Sequence, residues 1–561
     1  MNSIRIGVFI CECGSNIAEK IDISRIISTV STMKDVVAAE PYRLLCSPDG
    51  KSHLEERIRG LALTHVVVAA CSPRDHLQDF MSVCEKAGVN QYMLQMVNIR
   101  EQCAWITENP ADATEKAVRM VRSAIKRVRY QTPLARREIS VNPDVLVVGG
   151  GISGIETGLM LMGKGRRVYL LEKGKTLGGM VQSFQRIFPT MEDFSATLAK
   201  RIEMLRANKN VTILTEYELE RAVGFLGNYE VRVHSDTLNS VKDIKVGAVV
   251  LATGAELFDP STVRGLGYGQ VDNVITALEF EQMNQADRIV LKDGSAPRSL
   301  AIIHCVGREV RGYCSEICCM YALKFARYLN QKVPGIGIVH LYRDMCVPGK
   351  LNQRFMEETM KEGPKLDHCA GVRVRGGEQG PIVSYFQEGG LEKEISVEMV
   401  ILIPAMIPNK GSADVARILG LKLDREGFFE RQHEKLAPIA SAKEGIFIAG
   451  SAEGPKNISD CIVQAQATAG KILATLIPGR KMEIEARTSQ ISESYCQGCR
   501  SCISVCPFGA ITFDERRKVA VVNEVICRGC GNCAAACPSG AAIVKHSTYD
   551  QIYQEISEAV R

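Results

Sequence analysis

The stretch DVLVVGGGISG, Asp144–Gly154, decides how the middle of this chain folds. Four apolar residues, Val145–Val148, read as a buried strand that runs directly into a glycine turn. A helical pattern over Ile155–Lys164 follows, and a second strand, Arg167–Leu171, ends at Glu172. GxGxxG alone is a weak signal. Set between a strand and a helix, with an acid about 20 residues on, it becomes a dinucleotide fingerprint rather than a structural glycine turn. Gly149 makes the turn, Gly151 admits a pyrophosphate to the backbone, and Gly154 lets the helix pack on the strand. The helix start, with Ser153 in its first turn, offers amide donors and a positive dipole end to phosphates. Glu172, with Lys173 beside it, is placed to take the ribose hydroxyls.

Further out lie VVLATGA, Val249–Ala255, and GIFIAGSA, Gly445–Ala452, each a strand ending in a small-residue turn. The second leads through Glu453–Asn457 into a helical run, Ser459–Ile477. Both segments resemble motifs of flavoproteins with two dinucleotide-binding domains. That resemblance implies FAD, with Ala252, Thr253, Gly254 and Gly450 at the cofactor. Such flavoproteins receive NAD(P)H in a second nucleotide-binding half, expected here over about residues 290–395. After its strand SLAIIHCV, Ser299–Val306, the glycine fingerprint is missing and cysteines stand in its place. This half is therefore expected not to bind nicotinamide. Cys305, Cys314, Cys318 and Cys319 suffice for a [4Fe–4S] cubane; a redox dithiol and buried structural thiols are the other readings. The spacing CxxxCC, in place of a dithiol's CxxC, favours the cluster.

The carboxy-terminal segment repeats one spacing twice, Cys496-x2-Cys499-x2-Cys502-x3-Cys506-Pro507 and Cys527-x2-Cys530-x2-Cys533-x3-Cys537-Pro538. This is the two-cluster ferredoxin pattern, in which the fourth cysteine of each run ligates the other run's cluster. Cys496, Cys499, Cys502 and Cys537 then hold one cubane, and Cys527, Cys530, Cys533 and Cys506 the other. Zinc would use CxxC pairs but leaves the third thiol and the final Cys-Pro without a reason.

With 561 residues the chain needs several domains, and three are expected: residues 1–138, 139–484 and 485–561. A hydrophobic content of 46% with 24% charged residues is ordinary for a globular protein, and a net charge of +5 argues for neither nucleic acid nor membrane. The opening MNSIRIGVFICECG lacks a signal peptide's pattern, and no apolar run approaches the roughly 18 residues needed to span a bilayer. Twenty-one cysteines in a chain of this kind point to metal or redox chemistry in the cytoplasm of an anaerobe. Residues 1–130 read as a small α/β unit, with strands at Ile4–Ile10 and His65–Ala70 and helices around Ile21–Met33 and Ala111–Val128. Its cysteines are Cys11, Cys13, Cys46, Cys71, Cys84 and Cys103, several of them at strand ends, where parallel sheets place functional groups. The basic strip Arg119–Arg137 reads as a solvated helix face and linker, or else as a docking strip for an acidic partner.

Nearly the whole chain resembles the A subunit of heterodisulfide reductase, the iron–sulfur flavoprotein of methanogens, and its homologues in anaerobic bacteria. The resemblance rests on Cys11–Ile17, Val68–Arg74, Val97–Cys103, Gly149–Gly154, Leu177-Gly178-Gly179-Met180, Tyr313–Lys324, Gly454-Pro455-Lys456 and the terminal cysteine runs. It implies an α/β protein: a thioredoxin-reductase-like FAD domain between an amino-terminal α/β cluster domain and a two-cluster ferredoxin domain. It adds Gly179, Met180 and Lys456 to the flavin site. It implies a central cluster on Cys305, Cys314, Cys318 and Cys319, and an amino-terminal cluster on Cys13, Cys46, Cys71 and Cys103, with Cys11 spare. Lys324 would stand beside the reactive flavin ring and stabilise its reduced anion by charge, unless it is a solvated helix lysine. The implied partners are heterodisulfide-reductase-like B and C subunits, ferredoxin, and a hydrogenase-, formate- or NADH-linked input subunit, in a dimer of hetero-oligomers. The implied activity is flavin-based electron bifurcation or confurcation; a plain electron conduit and a wiring scaffold are the rivals. Two departures stand out. Where many members insert a further ferredoxin domain, this chain has only Ala286–Pro297, and Cys346 in Asp344-Met345-Cys346 has no assigned role.

Overall fold

Runs of β-branched residues bounded by glycine turns fold here as parallel sheets. The computed structural model describes residues 3–135, 137–387 and 389–560; Arg136 of the basic strip lies outside them. The chain divides into two compact units, Met1–Ile139 with Glu483–Arg561, and Ser140–Met482. Where the sequence suggested three consecutive domains, the first and last segments pack as one unit.

The unit Ser140–Met482 uses one plan twice. Its first sheet is parallel, in the order Ile446–Ile448, Ala248–Leu251, Val145–Val148, Val168–Glu172, Val211–Thr215. A three-stranded antiparallel meander spans Glu218–Phe225, Asn228–Ser235 and Ser240–Val246. The second parallel sheet runs Val274–Thr276, Met399–Pro404, Ser299–Val306, Gly337–Tyr342, Lys365–His368, and again a three-stranded meander follows, beginning at Gly371–Gly377. Ser299–Val306 thus takes the place in its sheet that Val145–Val148 takes in the other. The helix after the glycine turn spans Ile152–Leu161, three residues earlier than its periodicity indicated. Gly151 serves as the N-cap, and Gly163 and Gly165, both at φ 70°, prevent continuation to Lys164.

In the other unit a four-stranded parallel sheet has the order Val36–Tyr42, Ile6–Cys11, His65–Ala70, Leu94–Asn98. The strand order reverses between Ile6–Cys11 and His65–Ala70, which makes a crevice beyond their carboxyl ends. The cysteine-rich segment forms two short hairpin-like pairs, Ser489–Ile491 with Ala542–Val544 and Ile511–Asp514 with Val519–Val522. The final helix, Tyr549–Ala559, packs on the helix Pro110–Val128.

That packing corrects the reading of the basic strip. Arg122 Nη2 stands 2.9 Å from Glu558, Lys126 pairs with the same carboxylate, and Arg127 pairs with Glu555. Glu558 is 1% exposed, so its charge is held by those two cations. The acidic element that meets this part of the strip belongs to the chain itself. Replacing a buried carboxylate by an amide here removes charge-assisted hydrogen bonds, at a cost of about 1–2 kcal/mol because both cations are partly solvated. Glu558→Gln should therefore loosen the last helix, read as faster protease cleavage after residue 545 at unchanged flavin content.

Candidate functional site

A cavity of ≈ 720 Å³ opens at the carboxyl end of the first parallel sheet. Every residue assigned to the flavin from sequence lines it, except Gly154 and Gly450, which lie behind it. A Cβ on Gly154 would meet the Gly149 carbonyl oxygen at 1.9 Å, so the helix approaches the strand as closely as the fingerprint requires. A Cβ on Gly151 would meet nothing within 4 Å and would project into the space a pyrophosphate needs. Gly151 gives the helix no side-chain cap, which leaves its first amides free for phosphate. Glu172 accepts from the Gly150 and Gly174 amides, each at 2.7 Å, and so holds its carboxylate at the cavity wall. The Thr253 hydroxyl is buried there without a hydrogen-bond partner. Lys456 is positioned by Glu453, 2% exposed, at 2.6 Å. A donor-lined cradle, an acid for ribose and an orphaned hydroxyl fit FAD.

At the far side of this cavity one helix, Cys318–Lys332, brings Tyr321, Lys324 and Phe325 to the wall. Lys324 is 3% exposed, which rules out the solvated reading. Its ammonium pairs with Glu281, donates to the Arg186 carbonyl at 3.1 Å and lies 5.2 Å from the centre of the Phe184 ring. Burial lowers the Lys324 pKa and raises that of Glu281, each opposed by the partner's charge. Glu281 Oε2 has no partner and also borders the cavity through its residue. Nothing in the local pattern marked Glu281, which sits 43 residues from its cation within a helix, Ala277–Gln285, of ordinary composition.

The same helix starts at a second cavity. Cys305, Cys314, Cys318 and Cys319 line it, together with Cys346, the cysteine without a role. Burial and neighbouring thiols push Cys318 up to about 12, and burial pushes Cys319 to about 12 as well. Arg308 is hydrogen-bonded to Cys305 and pairs with Asp344 at 2.6 Å, and it brings a positive charge to the thiols. The cavity occupies the position equivalent to the glycine turn of the first sheet. Here Gly307, at φ 89°, is covered: a Cβ would meet the Phe258 ring at 2.5 Å. Arg311 lies over the same ring, 5.7 Å from its centre.

In the terminal segment a third cavity is lined by Cys527, Cys530, Cys533 and, from the other run, Cys506. The Ser489 amide donates to Cys527 at 3.3 Å, and the Ala510 amide to Cys506 at 3.3 Å. Cys537 acts electrostatically on Cys499, and Cys496 and Cys499 on Cys502, which gathers the other set of four. Among the described residues no three His, Cys, Asp or Glu are arranged around a single ion; cubane ligands stand apart on the corners of an inorganic core.

The amino-terminal cysteines need a correction. Cys11 ends one of the two strands that flank the switch-point crevice and Cys71 directly follows the other, and each acts electrostatically with Cys46; Cys11 also acts with Cys13. The Arg100 guanidinium reaches Cys13 at 3.9 Å and opposes the burial that pushes Cys71 to about 11. None of them acts electrostatically on Cys103, although Cys13 packs against the same apolar cluster. Cys103 is fully buried in the core on the other sheet face, with Ile6, Val8 and Ile10, and donates to Met120 Sδ at 3.5 Å. Cys11 and not Cys103 accompanies the other three, because strand alternation puts Cys11 on the crevice side.

Residues 143–469 match the pyridine nucleotide-disulphide oxidoreductase family, and residues 495–541 match a 4Fe-4S dicluster domain. The A subunit of the H2:CoB-CoM heterodisulfide, ferredoxin reductase of Methanothermobacter thermautotrophicus is 31% identical over 603 aligned positions, covering 92% of this chain and 91% of the relative. The iron-sulfur A subunit of the CoB–CoM heterodisulfide reductase of Methanocaldococcus jannaschii is 31% identical, covering 92% of each. A thioredoxin reductase from T. acidophilum is a structural neighbour at TM-score 0.42 and 15% identity, over 59% of this chain and 98% of that one.

Fold and site define a flavin-dependent oxidoreductase with an appended dicluster ferredoxin domain. It carries FAD and [4Fe–4S] clusters and transfers electrons. The chain belongs to the family of heterodisulfide reductase A subunits. Among the described residues no helix is long and apolar enough to cross a membrane.

The cradle makes a direct prediction. Gly151→Ala should fold normally and lower FAD affinity at least about tenfold, ~1.4 kcal/mol, whereas Gly154→Ala should lower stability through its clash with Gly149. Flavin absorbance after desalting and the thermal unfolding midpoint separate the two.

Proposed function

We propose that this chain is the electron-splitting component of a heterodisulfide-reductase-like complex, acting between an electron-pair carrier, a ferredoxin-type path and a higher-potential acceptor. The observation that carries this reading is the single helix Cys318–Lys332, which begins at the central thiols and presents Tyr321, Lys324 and Phe325 to the flavin cavity. Lys324 lies six positions after Cys318, about 9 Å along the axis. FAD, when bound, supplies the exchange between electron pairs and single electrons.

The residues around it divide the remaining work. The Ile152–Leu161 amides and Glu172 hold the dinucleotide. Lys324, kept in place by Glu281 and the Arg186 carbonyl, sets a positive charge in a low-dielectric wall, where it favours added negative charge on the ring. Phe184, Phe325 and Tyr328 pack around that ammonium and exclude water. Cys305, Cys314, Cys318 and Cys319 would hold the central cluster, with the helix N-terminus at its negative core. Cys11, Cys13, Cys46 and Cys71 would hold the amino-terminal one, and the two crossed sets the terminal pair. The buried Gly307 turn supports input from a protein rather than from nicotinamide bound in this half. The partners this implies are heterodisulfide-reductase-like B and C subunits, ferredoxin and a hydrogenase-, formate- or NADH-linked input subunit. The relative from M. thermautotrophicus is named for hydrogen, heterodisulfide and ferredoxin together.

A non-splitting conduit is favoured by one observation: the alignment with that relative has 603 positions against 561 residues here, so the relative has residues this chain lacks. The reconstituted complex decides between them. Splitting requires ferredoxin reduction to stop when the high-potential acceptor is withheld, and a conduit continues. In the isolated chain four cubanes predict about 16 irons, and Cys318→Ser should remove about four. Lys324→Met should lower the flavin's reduction potential by about 30 mV or more, equivalent to roughly 1.4 kcal/mol for a two-electron couple.

A further inference from the structure

The central cavity holds one thiol too many. A cubane offers four iron corners, one per cysteine, and five cysteines border this space. They differ in mounting. Cys305 lies in the strand Ser299–Val306, and Cys318 and Cys319 open the helix Cys318–Lys332. Cys314 and Cys346 instead sit on irregular backbone, within residues 312–317 and 343–349. These two are also partners: the Cys346 side chain is hydrogen-bonded to Cys314. The second loop is tied to the rigid thiols as well, since the Cys346 amide donates to Cys319 Sγ at 3.4 Å and Cys319 Sγ donates to the Asp344 carbonyl at 3.5 Å.

We propose that Cys314 and Cys346 form an exchangeable pair at one corner of the central cluster, with the other three corners fixed by Cys305, Cys318 and Cys319. In the exchange the iron–sulfur bond to one loop cysteine breaks as the bond to the other forms. The proton of the arriving thiol passes along their hydrogen bond to the departing thiolate. No electron is gained or lost. The loop bearing Cys346 continues through Pro348, Gly349 and Lys350 into the flavin cavity wall, so its position is shared by both cavities. Ligand identity and hydrogen bonds to sulfur tune cluster potential, and the exchange therefore gives the central cluster two potentials.

This inference rests on the central-cluster reading, and the test separates the two. Full-length protein is prepared anaerobically as wild type, Cys314→Ser, Cys346→Ser, the double variant and Cys318→Ser. Iron, acid-labile sulfide and the paramagnetic resonance of the reduced protein are measured, with FAD content as the gauge of folding. Each single loop variant should keep about 16 irons, with g-values that differ between the two, and the double variant and Cys318→Ser should each lose about four. Loss of those irons in Cys314→Ser but not in Cys346→Ser makes Cys346 a bystander and overturns the proposal, as does their retention in the double variant. Full iron in Cys318→Ser overturns the cluster reading itself. On wild-type protein, anaerobic iodoacetamide labelling followed by peptide mapping should mark Cys314 and Cys346 each in part. Label on Cys346 alone overturns the exchange.

Discussion

Two central cysteines and part of the flavin cavity wall share the helix Cys318–Lys332, and the organisation of the larger unit depends on that rigid element. A helix rises about 1.5 Å per residue and deforms little, so the spacing between Cys318 and Lys324 fixes the separation of the two cavities. A loop could hold the same side chains but would not hold that distance. The second sheet supplies the helix in the register that its nucleotide-binding counterpart has in the first. The same architecture thus builds one crevice that takes a dinucleotide and another that gathers cysteines. The difference lies in the turn: Gly151 leaves its crevice open, whereas Gly307 is covered by Phe258 and Arg311.

Charge is managed consistently around these crevices. Arg308 stands at the central thiols and Arg100 at the amino-terminal ones, each positioned by an acid, Asp344 and Glu101 respectively. Burial pushes the Cys318, Cys319 and Cys71 thiols up, and at Cys71 the Arg100 charge opposes that rise. The buried Lys324–Glu281 pair is costlier, because both charges leave water. It sits in a wall of aromatic rings, Phe184, Phe325 and Tyr328, that keeps water from it.

Local spacing made some of this legible in the sequence and hid the rest. The Asp144–Gly154 turn and the two terminal cysteine runs encode their ligands within a dozen residues, so strand, turn and helix could be read directly. Central cysteines 305–319 were likewise close together. What the residues could not disclose was long-range. Glu281 meets Lys324 across 43 positions, Cys346 reaches Cys314 across a strand and a helix, and Glu558 meets Arg122 and Lys126 across almost the whole chain. The choice between Cys11 and Cys103 turns on a related matter. Both lie near the carboxyl edge of one sheet, and only strand alternation, which sends Cys11 to one face while Cys103 packs on the other, tells them apart.

The packing of the first and last segments into one unit has a physical logic of its own. A small two-cluster ferredoxin has little apolar interior, and here its core is a handful of residues, among them the buried Cys502 and Cys533. The ties from Arg122, Lys126 and Arg127 to the final helix, and from Arg137 to Glu524, give that segment a support it cannot build alone. Rigid support matters more for electron transfer than for binding, because tunnelling between centres depends on a fixed separation. A segment on a flexible linker would carry electrons only in those moments when it happened to dock, whereas this one is anchored through buried Glu558 to the helix Pro110–Val128.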